Sequence, residues 1–109
     1  MNALSTNSSN NAVSCFDGVY VTRHTEYTVR GGKCTQVRDL ATGDLSEHIV
    51  LGKRLQGLVY IFPNGQMETL DGPRVGGNLM FDANDYDFES ITTSCIRGFT
   101  RLSEAMTAN

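Results

Sequence analysis

The sequence is sparing with proline, with long apolar runs, with cysteine and with positive charge, and each shortage removes a class of protein. Two prolines leave the chain few rigid breaks, while 11 glycines supply many positions that can turn, a combination that predicts a meandering sheet. The longest uncharged apolar run is Gly57-Leu58-Val59-Tyr60-Ile61-Phe62, far short of the roughly 18 residues that a membrane helix needs. No membrane partner is expected. The three cysteines, Cys15, Cys34 and Cys95, are odd in number and far apart, which is not the pattern of a disulfide-stapled secreted domain. Reduced thiols follow. The opening residues Met1-Asn2-Ala3-Leu4-Ser5-Thr6-Asn7 carry neither a basic nor an apolar signal region, so the expected compartment is the cytoplasm. Net charge is −3, which argues against a general binder of nucleic acid or of anionic membranes, since both need a positive surface field.

What is present describes one globular domain. With 109 residues, 39% of them apolar and 19% charged, the chain has room for a single modest core and no second domain. Residues 1–12 are dominated by Ser, Thr and Asn and read as a flexible polar tail, leaving 13–109 as one β domain.

Within that domain the apolar period is two. Val19 and Val21 alternate with Tyr20 and Thr22 in a first strand. Glu26-Tyr27-Thr28-Val29 and Cys34-Thr35-Gln36-Val37-Arg38 flank Gly31-Gly32, a pair that supplies the positive φ of a tight hairpin. Asp39 to Asp44 reads as a loop and His48-Ile49-Val50-Leu51 as a short strand. Leu58 to Phe62 is apolar on both faces, as a central strand covered on each side would be, and Pro63-Asn64-Gly65 turns it into Gln66-Met67-Glu68-Thr69-Leu70. The turn Phe62-Pro63-Asn64-Gly65-Gln66 resembles the hairpin tip of a MORN repeat; it occurs once, without periodic partners, so the resemblance implies a hairpin and no family function. Asn78 to Phe81 forms a further strand, Phe88 to Leu102 a long last one, and Arg101 to Met106 could close one helical turn. Six to eight short strands joined by hairpins predict an all-β fold: a small antiparallel barrel, with a compact β-sandwich as the alternative.

Four groups of residues carry candidate chemistry. Asp82, Asp85, Asp87 and Glu89 are dense enough to hold Ca²⁺, yet their spacing fits no EF-hand loop and a solvated acidic loop is the preferred reading. The three cysteines with His24 and His48 contain no paired zinc spacing, and buried apolar thiols explain the cysteines better. Nucleophilic catalysis would need Cys34, Cys95 or Ser94 beside His24 or His48 and an orienting carboxylate; no catalytic motif accompanies them. Between Tyr20 and Arg38 lie Arg23, Arg30, Lys33 and Arg38 against the single acid Glu26. Tyr20, Arg23, Tyr27 and Arg30 could there form a ligand- or partner-binding stripe, or a nucleic-acid surface, although a charged hairpin that blocks strand addition is the simpler reading.

These expectations converge on an accessory binding or protein-interaction module that needs no cofactor, forms a homodimer, and holds a protein or small-molecule partner. A small enzyme centred on His24, His48 or Cys95 is one alternative. A nucleic-acid binder using the basic 20–38 hairpin is the other, disfavoured by the net charge.

Overall fold

The computed structural model describes residues 16–83 and 90–102. The tail expected over 1–12, most of the acidic stretch and the helical turn from Ser103 onward therefore lie outside the described residues. Every complete element among the described residues is a strand: β1 (Gly18–Val21), β2 (Thr25–Arg30), β3 (Lys33–Asp39), β4 (Leu55–Ile61), β5 (Met67–Leu70), β6 (Asn78–Asp82), β7 (Ser90–Cys95) and β8 (Gly98–Arg101). They form two four-stranded antiparallel sheets, ordered β3-β2-β1-β8 and β5-β4-β6-β7. The all-β fold is as expected; among the described residues no continuous strand ladder closes the two sheets into a barrel, although an antiparallel bridge between Lys33 and Arg54 links the β3 edge to the start of β4, and a sandwich accommodates the arrangement.

Alternation builds the first sheet. Tyr20 on β1 and Tyr27 and Val29 on β2 point inward and are buried; Cys34 and Val37 on β3, three residues apart, join them because a bulge at Thr35 shifts the register between Gln36 and Cys34. Leu58 on β4, Leu70 on β5, and Leu79 and Phe81 on β6 meet them from the second sheet in one cluster, closed by Val50 and Ile96 from the connections. Each large side chain so buried contributes about 1.5–3 kcal/mol relative to exposure. The Gly31 and Gly32 turn behaves as its sequence suggests, with φ of 63° and 80°, the left-handed pair a two-residue hairpin requires. Asp17, itself buried, then accepts hydrogen bonds from the Gly31 and Gly32 amides at 2.7 and 3.1 Å.

Three local expectations are overturned by non-local partners. His48 to Leu51 is a turn, in which His48 Nδ1 accepts the Val50 amide and the Leu51 and Lys53 amides return to the His48 and Val50 carbonyls. Val50 is fully buried while Ile49 is two-thirds exposed, so the segment drops one plug into the core and forms no ladder. Phe88 to Leu102 is not one strand. Its Ile96 amide bonds to Gly77 of the second sheet and its Arg97 amide to Val21 of the first, so the chain changes sheet between two consecutive residues and β8 follows. Leu58 to Phe62 begins as a central strand but is not covered along its length. β6 pairs only with Leu55 to Val59, and beyond that point β4 has β5 as its one neighbour.

Candidate functional site

The uncovered part of β4 is the most distinctive surface in the described structure. Tyr60 pairs with Glu68 and Ile61 with Met67, so the hairpin continues past the edge of β6 and projects as an arm. At its tip the Phe62 amide bonds to the Gln66 carbonyl and the Gly65 amide to the Phe62 carbonyl, both at 2.8 Å; Asn64 Oδ1 accepts the Gln66 amide at 2.9 Å. Gly65 takes a φ of 91°. The tip is thus fixed by its own backbone and by one asparagine.

With no strand beside it, the arm exposes apolar side chains on both faces. Tyr60, Ile61 and Phe62 are each more than a third exposed, and Met67 reaches 58%. Period two places Tyr60 and Phe62 on one face, where their rings meet edge to face with centroids 4.9 Å apart, a favourable aromatic geometry. Ile61 and its cross-strand partner Met67 occupy the other face.

The outer edge of β5 is open as well. In an antiparallel pair hydrogen-bonded positions alternate, and the Phe62–Gln66 bond sets the phase: Glu68 and Leu70 turn their backbone groups to β4. Met67 and Thr69 turn theirs outward, where among the described residues no strand pairs with them. The contrast with the two edges of the first sheet is physical. β3 is covered by the chain that follows it, through Ser46 to Val37, Gly52 to Cys34 and Cys34 to Lys53 backbone bonds. β8 is flanked by the exposed cations Arg97 and Arg101, which discourage strand addition; Arg101 also lies over the Phe99 ring at 5.9 Å.

The residues singled out from sequence are not gathered into one place. Tyr20 is fully buried, its ring packed on Phe99 at 4.7 Å, and its hydroxyl donates to the Phe16 carbonyl. Tyr27 is buried too, and burial pushes its phenol above the usual range, against hydrogen bonds from Thr25 and Thr22. Both tyrosines are core residues with no ring face offered to a base or ligand. Arg23 and Arg30 are exposed, and Arg38 is paired with Glu26 at 3.2 Å.

His24 stands exposed in the β1–β2 turn and His48 half-buried, edge-on to Tyr27 with ring centroids 5.6 Å apart. Among the described residues neither imidazole is hydrogen-bonded to a carboxylate or to Cys95, which is exposed at the end of β7. Asp82 gives both carboxylate oxygens to protein donors, Gln56 Nε2 at 2.6 Å and Arg54 Nε at 3.1 Å. Those hydrogen bonds, with the charges of Arg54 and Lys53, hold its carboxyl below the usual range. Asp85, Asp87 and Glu89 lie outside the described residues, among which no cluster of metal-ligating side chains occurs.

No family model, curated protein or solved structure matches this chain. No helix of the described structure is long and apolar enough to cross a membrane.

Proposed function

We propose that the protein is a small interaction module that self-associates through the β4–β5 arm. The observation that carries this reading is the projection of Tyr60, Ile61, Phe62 and Met67 beyond β6, beside an outer edge of β5 that has no strand partner among the described residues. A second copy related by a two-fold axis lays its own β5 antiparallel to the first. The outward backbone groups of Met67 and Thr69 then pair across the axis, and Ile61 and Met67 of each copy cover one another. An apolar arm of this kind is costly in water and is stabilised by such coverage. The same reading includes a cytoplasmic location, supported by Cys34 and Cys95, neither of which is in a disulfide.

The test is solution mass, by native mass spectrometry and by light scattering across a dilution series. A dimer is expected for the natural chain, and a monomer with unchanged circular dichroism for Ile61→Lys combined with Met67→Lys. A natural chain that stays monomeric when concentrated, or a dimer that survives both lysines, overturns the reading.

A further inference from the structure

The junction of the two sheets holds a row of three cations, of which, among the described residues, Arg54 alone is paired with an acid, Asp82. Arg30 is the cross-strand partner of Lys33, and Lys33 in turn forms an antiparallel bridge with Arg54. Three positive residues therefore stand side by side on β2, β3 and the approach to β4. The frame beneath them is tightly bonded: Leu55 donates its amide to the Gly32 carbonyl at 2.7 Å, Cys34 to Lys53 at 3.0 Å, and Asp82 to Arg54 at 2.9 Å. Lys33, Lys53, Arg54 and Asp82, with Leu51 and Gly52, line a cleft of about 410 Å³ at this junction.

Like charges placed directly opposite one another on neighbouring strands are destabilising. Here the one acid in the cleft lining, Asp82, is already engaged by Arg54 and Gln56. Arg54 uses its Nε on Asp82 and remains two-thirds exposed, which leaves the terminal nitrogens of the fork for another acceptor. In a chain whose net charge is −3, a local excess of this kind is not a general property of the surface.

We infer that the Lys33–Lys53–Arg54 cleft, flanked by Arg30, binds a small ligand bearing two or more phosphate groups. Neighbouring strands are spaced by about 4.8 Å, so a row spanning two such intervals is longer than one phosphate and suits consecutive ones. The guanidinium supplies planar, paired donors and the lysines compact point charges, the two ways in which proteins hold phosphate oxygens. None of the arm's residues takes part.

Inorganic tripolyphosphate is the probe, titrated calorimetrically into the full chain at low and at raised salt. Saturable binding that weakens with salt is expected, along with a loss of about tenfold or more in Lys33→Gln combined with Lys53→Gln, the effect of roughly 1.4 kcal/mol in lost charge-assisted contacts. Lys33 is exposed and Lys53 half-buried, and circular dichroism checks that the double variant folds; Arg23→Gln, which removes an exposed cation outside the row, should leave the affinity unchanged. Absence of saturable binding, or equal loss in Arg23→Gln and the double variant, overturns the inference. Binding of a single-stranded oligonucleotide with none of tripolyphosphate overturns it too, in favour of a phosphodiester backbone.

Discussion

The ring of Tyr27 on β2 lies 6.4 Å from the ring of Phe81 on β6, tilted by 36°, and this pair joins the two sheets at the centre of the core. Phe81 is fully buried and faces Leu55 across the ladder. Replacing it with alanine opens a void between the sheets and should lower stability by about 3–5 kcal/mol, read as a shift in the urea midpoint. Phe81→Leu keeps most of the volume and should cost clearly less. Equal losses in the two variants would mean that the aromatic pairing, and not the filled space, is what matters there.

Asp17 acts at a distance along the chain, reaching from the start of β1 to the two glycine amides of the β2–β3 turn. Asp17→Ala leaves both donors without their acceptor and should destabilise by about 2 kcal/mol, as expected for hydrogen bonds to a charged group. Asp17→Asn retains one accepting oxygen and should fall between. Thermal or urea denaturation decides this; an unchanged midpoint in Asp17→Ala would show that water replaces the carboxylate at the turn.

Burial raises the Cys34 thiol from 9.0 to about 11, against a backbone hydrogen bond from Gln36 that favours the thiolate. The folded protein therefore holds this proton more tightly than the unfolded chain does. Its contribution to stability is complete below 9.0 and is lost as pH rises toward about 11. Tyr27, raised by desolvation, adds a loss of the same sign. Urea midpoints should fall on the alkaline side by the equivalent of roughly 3 kcal/mol, and Cys34→Ala should flatten most of that fall. A flat profile in the natural chain would contradict the burial of the thiolate-forming group.

What could be read from the sequence was set by neighbours in the chain. Gly31-Gly32 and Pro63-Asn64-Gly65 marked their hairpins because left-handed φ at Gly31, Gly32 and Gly65 is a local demand. The misread segments were decided by partners elsewhere. Ile49 is apolar, yet only Val50 finds a place in the core. The alternation from Ser90 onward conceals the point at which Arg97 leaves one sheet for the other. Tyr60 and Phe62 look like core residues until register shows that β6 does not reach them. The cation row was hidden for the same reason, since Lys33 and Arg54 meet only through a bridge between segments 21 residues apart, and neither Lys53 nor Arg54 stands out on its own.

The change of sheet at Ile96 and Arg97 has a kinetic consequence. β8 is the neighbour of β1, so the first and last strands of the described fold complete the same sheet, and β7, just before the crossing, completes the other. Early hairpins such as β2–β3 and β4–β5 can assemble from nearby chain. Closing β1 on β8 must instead bring together segments from opposite ends, with a large loss of chain entropy before any contact is gained. The β1–β8 pairing therefore carries the greatest loop-closure cost of any strand pair in the described fold.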